Sequence, residues 1–236
     1  MRIGKFILTN VNNVLPGKKL SAARSIILKK CDLVVDIGSN DGQWMTDVRK
    51  NGYSGRALCI EPLLKNYNKL KSSKLGDTIF LNCAVGNSNG HLIMNEASNN
   101  GLSSSVLELD DFHKNGAPEI KYIRKERVES KKLSKILSVH KDKYKYIFIK
   151  IDTQGYEFEV LRSLSKKNFD TIYAFEVEVN LVSTYKGTHL IEDIIRFLRI
   201  KGFRPLRIES GFGMPNFGQQ LQVDILFVKN ANSNSI

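Results

Sequence analysis

Four carboxylates stand where short apolar runs end: Asp36 after Leu33-Val34-Val35, Glu61 after Cys59-Ile60, Asp152 after residues 144–151, and Glu176 after Ala174-Phe175. In the first run Val34, Val35 and Ile37 are β-branched and continuous rather than alternating, which suits a strand of a parallel sheet covered on both faces. The carboxyl ends of such strands open on one crevice at the point where the strand order reverses, so the four acids are expected to converge there. Converging carboxylates can hold an ammonium group, share a pair of hydroxyls, or take a proton from an acceptor.

The first acid leads into Asp36-Ile37-Gly38-Ser39-Asn40-Asp41-Gly42, and Gly42 opens a helix through Val48. The glycines allow a sharp turn and close approach of a ligand, and the free amides of the helix face that turn. The pattern D-x-G-x-x-x-G departs from the G-x-G-x-x-G of dinucleotide sites. An acid ahead of the glycines repels a pyrophosphate but suits the ammonium of an amino-acid-like ligand, directly or through the loop. S-adenosylmethionine has that ammonium, a carboxylate for the helix amides, and ribose hydroxyls that need an acid on the next strand, about 20 residues on. Glu61 of Cys59-Ile60-Glu61-Pro62 stands there. The competing role for each acid is a helix cap, and for Asp152 this is the N-cap of Gly155-Tyr156.

The elements that must hold these residues read as one α/β domain. Strands are expected at 33–37, 56–61, 78–85, 144–152, 203–208 and 221–229, with another ending at Phe175-Glu176, and helices at 62–71, 131–139, 156–166 and 189–201. Residues 91–95 read as an extra strand returning antiparallel to the third. From 97 to about 125 the pattern weakens, which predicts a long surface loop able to act as a lid, with Ser103, Ser104 and Ser105 toward the cleft. Residues 1–31 read as a basic extension with a helix at 20–29, appended to the 32–229 domain, and 230–236 as a frayed polar tail.

With 236 residues, 42% hydrophobic, the chain has enough apolar side chains for a substantial core. No apolar run approaches the ~20 residues of a membrane span, and no secretion signal is evident. Three cysteines without a C-x-x-C pair suit free thiols in a reducing cytoplasm. The net charge of +12 is concentrated: seven Lys or Arg and no acid in residues 1–31, twelve basic against four acidic residues in 113–150. Such segments suit an anionic partner or a solvated lysine-rich face.

Val35 to Gly42, Ile60-Glu61-Pro62, Cys83-Ala84-Val85-Gly86-Asn87, Ser103-Ser104-Ser105 and above all Lys150-Ile151-Asp152-Thr153-Gln154-Gly155-Tyr156-Glu157 resemble the FkbM family of S-adenosylmethionine-dependent methyltransferases, over about residues 32–228. The resemblance implies a single Rossmann-like class I methyltransferase domain whose seven-stranded, mostly parallel sheet has an antiparallel last strand. It also implies O-methylation of hydroxyls on sugars, glycans or polyketide-like products. Carried onto this chain, the cofactor would meet Asp36, Gly38, Ser39, Asn40, Asp41, Gly42, Glu61, Pro62, Cys83, Ala84, Val85, Ser104 and Asp152.

For the chemistry, Asp152 is the first candidate for a base or for orienting the acceptor, Glu176 the second and His189 the third. Lys150, Gln154, Asn180, Tyr185 and Arg124 are candidate acceptor contacts, with Tyr185 and Phe212 stacking on a sugar ring and Arg124 and Arg127 holding a phosphate or carboxylate. No metal motif is present, but Asp152 and Glu176 as oxygen ligands to Mg²⁺ would give a metal-assisted methyltransferase. An RNA ribose methyltransferase is another alternative, helped by the charge. A non-catalytic glycan- or nucleic-acid-binding module is the alternative of a different class, and it leaves the strand-end acids unexplained.

Overall fold

The computed structural model of the protein describes residues 21–139, 144–214 and 218–230. Helix α1 (Ala22–Leu28) begins at Ser21, whose hydroxyl accepts the Arg24 N–H. The chain then alternates through β1 (Leu33–Ile37), α2 (Gln43–Lys50), β2 (Arg56–Ile60), α3 (Leu64–Ser72) and β3 (Thr78–Leu81). An inserted arm holds β4 (Ala84–Val85), β5 (Gly90–Ala97), α4 (Asp111–Gly116) and β6 (Tyr122–Lys131). Alternation resumes with α5 (Leu133–Ser138), β7 (Ile147–Ile151), α6 (Glu157–Arg162), α7 (Asn168–Thr171), β8 (Ile172–Asn180), α8 (Ile191–Ile200) and β9 (Phe203–Ser210). A short hairpin, β10 (Gly213–Met214) and β11 (Gln219–Gln220), precedes β12 (Gln222–Lys229).

The main sheet has seven strands in the order β3-β2-β1-β7-β8-β12-β9, with β12 antiparallel to both neighbours. The order reverses between β1 and β7, which places the crevice at the carboxyl ends of those two strands. β1 and β7 are buried along their whole length, as their continuous apolar runs demand. Alternate residues supply two cores. Val35, Ile37, Ile149, Ile151, Phe175 and Val177 meet Val160, Leu161 and Leu198 on one face; Val34, Phe148 and Ala174 meet Met45, Val48 and Ile27 on the other.

That alternation governs the charges too. Asp36 pairs in register with Lys150, and Lys150 with Glu176, so all three project from the face covered by α1 and α2.

The structure corrects several expectations. Residues 91–95 do not return along the third strand: β5 pairs antiparallel with β6 in a separate three-stranded sheet, β4-β6-β5. The segment from 97 to 125 is not a structureless loop, because it contains α4 and the start of β6, and Ser103, Ser104 and Ser105 are buried. The 156–166 helix stops at Arg162, with α7 as a separate turn. Helix α1 is no appendage: Ile27, Leu28 and Cys31 complete the second core. All three cysteines are buried and free. Among the described residues no helix is long and apolar enough to cross a membrane. The basic residues before Ser21, those at 141 and 143, and the tail after Asn230 lie outside the described residues.

Candidate active site

Gly38, at φ +81°, lets β1 turn hard against β7: its N–H donates to the Ile60 carbonyl, while the Asp152 N–H donates to Ile37. A Cβ on Gly38 would sit 1.8 Å from the Asp152 carbonyl oxygen. This contact brings the two halves of the cleft together. Lining it are Gly38, Ser39, Asn40, Gln43 and Trp44; Glu61 and Pro62; Cys83, Ala84 and Val85; Gly101, Leu102, Ser104 and Val106; and Lys150, Asp152, Gln154 and Tyr156. The inserted arm therefore forms one wall through the turn at 101–106.

Glu61 is nearly buried, and its two oxygens accept the Asn40 and Leu63 N–H groups, each at 2.9 Å. Each oxygen keeps a lone pair for a ligand. Burial pushes this carboxyl up to about 7, against the pull of the two amides. Helix α2 starts at Gly42, which offers no side-chain cap, so the amides of its first turn remain available.

Asp152 projects into the cleft with its side chain 29% exposed. Lys150 Nζ donates to Oδ2 at 2.7 Å and Gln154 Nε2 to Oδ1 at 2.8 Å. Burial would raise the carboxyl, but the Lys150 ammonium outweighs it and holds Asp152 below the usual range. The helix-capping alternative falls to a different residue: Glu157 Oε1 accepts from the Thr153 and Gly155 N–H groups. Gln154, in the left-handed region at φ +55°, also donates to Glu178 Oε2 at 2.7 Å and accepts the Tyr185 hydroxyl. Burial and the neighbouring Asp152 charge push Glu178 well above its usual value.

The four acids do not all reach the cleft. Asp36 is fully buried beneath the loop, neither oxygen accepts a hydrogen bond from the described residues, and burial raises it to about 6 against the pull of Lys150. Glu176 faces away: Oε2 meets Arg24 Nε at 2.5 Å and Oε1 accepts the Trp44 indole N–H at 3.2 Å. It is thus engaged by a cation and an indole rather than facing Asp152, and among the described residues no group of three or more His, Cys, Asp or Glu could hold a metal ion.

The other candidates separate from the cleft as well. His189 stacks on Phe158 at 4.0 Å and meets Asp193 at 3.0 Å. Asn180 is buried and bonded to Thr184 and Thr188. Tyr185 is fully buried, so its ring has no face on which a sugar could stack. Phe212 packs on His113. Arg124 is paired with Glu96 and Glu126, each at 2.8 Å, and Arg127 meets His91. Asp41 and Gly42 support the loop without lining the cleft.

Sequence reasoning missed Trp44, Gln43, Leu102 and Tyr156. The aromatics carried a signal, since each lies one or two residues after a turn glycine, Gly42 or Gly155.

The sequence matches the model of the methyltransferase FkbM domain over residues 36–205, from the first strand-end acid to β9. The chain belongs to the FkbM methyltransferase family. It is therefore a methyltransferase of the S-adenosylmethionine-dependent class. No curated protein matches the sequence. Among solved structures it is similar to a Listeria monocytogenes protein provisionally assigned as an S-adenosylmethionine-dependent methyltransferase (TM-score 0.48, 11% identity, 89% of this chain and 100% of that one). It is also similar to the plantazolicin methyltransferase BpumL in complex with SAH (0.47, 11%, 89% and 80%) and to Aeropyrum pernix fibrillarin with bound S-adenosyl-L-methionine (0.44, 10%, 86% and 68%). At these TM-scores the likenesses add nothing to the family assignment.

The residues present fit the cofactor of this FkbM domain. Glu61 has free lone pairs at the cleft, the α2 amides are uncapped, and Asp36 places an orphaned carboxylate under the glycine turn. Glu61 gives the first expected result. Because ribose hydroxyls donate best to the ionised form, cofactor affinity should fall as pH drops through about 7. In Glu61→Ala, binding should weaken by about 2 kcal/mol and lose that pH dependence, as read by calorimetric titration at pH 6 and 8. Unchanged affinity in this variant would remove Glu61 from the site. The stability of the free protein should move the opposite way: a folded-state value raised above the unfolded one stabilises below about 4.5, and this is lost as pH rises through 7.

Proposed function

We propose that this methyltransferase acts on a sugar hydroxyl, on a glycan-borne, nucleotide-linked or phosphorylated acceptor, in the cytoplasm. The position of Asp152 supports this reading most directly. It is a carboxylate on the cleft floor shared with Glu61 and the Gly38 turn, and Lys150 at 2.7 Å keeps it anionic. Three free buried thiols suit the reducing compartment.

S-adenosylmethionine supplies an electrophilic methyl carbon when bound. Glu61 would hold its ribose hydroxyls, the α2 amides its carboxylate, and Asp36 its ammonium through the loop. Asp152 accepts the hydrogen bond of the acceptor hydroxyl and turns an oxygen lone pair toward the methyl carbon. Transfer of that methyl group to the acceptor oxygen would leave the carbon–sulfur electron pair on sulfur, so the chain's own residues have only the acceptor to orient and its proton to receive. The hydroxyl proton leaves to Asp152 or through it to water. A carboxylate held this low is a weak base, so Asp152 contributes chiefly by orientation.

Asp152→Asn should therefore lower kcat by about 10²-fold, the scale of a lost orientation, while cofactor affinity holds. Retained kcat would remove the role. Activity should also survive chelation, whereas its loss in chelator would favour the metal-assisted reading. The second reading, methylation of an RNA ribose, draws its support from the net charge of +12.

A further inference from the structure

A chain of buried and half-buried contacts runs from α1, outside the matched residues 36–205, to the wall of the cleft. Arg24 is 8% exposed. Its Nε meets Glu176 Oε2 at 2.5 Å, and its Nη2 meets Glu209 Oε2 at 3.0 Å. The other oxygen of Glu176 accepts the indole N–H of Trp44 at 3.2 Å. Trp44 lines the cleft, stacks on Phe148 with ring centres 5.9 Å apart, and carries Lys150 Nζ 5.9 Å from its ring centre. Among the described residues this is the hydrogen bond that holds the indole N–H, while the ring itself rests on Phe148 and near the Lys150 ammonium. With Glu176 left unpaired and buried, the carboxyl would lose the partner that fixes its rotamer.

We propose that Arg24 is a positioning residue for the cofactor cleft, acting through Glu176 to fix the Trp44 indole, so that α1 belongs to the methyltransferase unit. The proposal rests on the reading of the cleft as the S-adenosylmethionine site.

Trp44 is the chain's one tryptophan, so its emission reports this wall alone. The test is a double-variant cycle in the full chain, with S-adenosylhomocysteine titrated calorimetrically. Arg24→Lys keeps the charge but loses the forked contact to Glu176 and Glu209. It should shift Trp44 emission and weaken binding by about ten-fold in the natural background, a loss of about 1.4 kcal/mol. In a Trp44→Phe background, where the indole N–H is already gone, Arg24→Lys should have no further effect on binding. Equal binding by Arg24→Lys and the natural protein, or an equal loss in both backgrounds, would overturn the proposal. Failure of the natural protein to bind S-adenosylhomocysteine would instead overturn the cleft reading beneath it.

Discussion

Replacing Gly38 by alanine will cost about 4 kcal/mol or more and abolish cofactor binding. Two effects combine. At φ +81° an alanine pays the left-handed penalty, about 1 to 2 kcal/mol, and its Cβ would lie 1.8 Å from the Asp152 carbonyl oxygen. Backbone cannot rotate away as a side chain can, so the ends of β1 and β7 must separate. That separation moves Asp152 relative to the glycine turn. The comparison is Gly52→Ala, where φ is +93° but nothing lies within 4 Å of the added Cβ. It should show the conformational penalty alone. Melting followed by circular dichroism reads both: about 10 °C or more lost at Gly38, and a few degrees at Gly52. Equal shifts would mean that the packing of β1 against β7 does not hold the cleft.

Lys150→Met is the second large effect. The ammonium is buried, and burial alone would lower its pKa, but Asp152, Asp36 and Asp224 more than reverse this and keep it charged. Removing it leaves the Asp36 and Asp152 carboxylates without their cation in a low-dielectric site, which costs about 3 to 5 kcal/mol. The sign of the pH dependence follows. Without Lys150 both acids should titrate above their unfolded values, so stability is retained below about 4 and lost as pH rises through the raised values. The deficit against the natural protein should therefore be larger at pH 8 than at pH 5, measured by urea unfolding at both. A deficit that is the same at both would show that the acids do not depend on Lys150.

The same residues show how far the sequence could be read. The β-branched run at 33–37 and the largely apolar run at 144–152 announced central strands, and the turn glycines and strand-end acids announced the crevice; these follow from local chemistry. Which acids reach the cleft does not. Asp36 and Glu176 lie in register with Lys150 on the α1 face, and only pairing between distant strands fixes that register. The β5–β6 arm was illegible for a related reason: Tyr122 to Lys131 is mostly charged and solvated, so its strand is set by partners about 30 residues away rather than by an apolar pattern. Tyr185 and Asn180 read as acceptor contacts by residue type, as a stacking ring and a hydrogen-bonding amide, yet their polar atoms are satisfied by Gln154 and by Thr184 and Thr188. Helix α1 read as an appendage because its burial depends on a face supplied by β7 and β8.

Transfer of a labelled methyl group to nucleotide sugars, oligosaccharides and RNA in parallel decides whether the Asp152 cleft directs a methyl group from S-adenosylmethionine to a sugar hydroxyl. The expected result is label in an alkali-stable ether on a sugar acceptor, lost in Asp152→Asn while that variant still binds the cofactor. Label in RNA alone, or undiminished sugar labelling by Asp152→Asn, would contradict it.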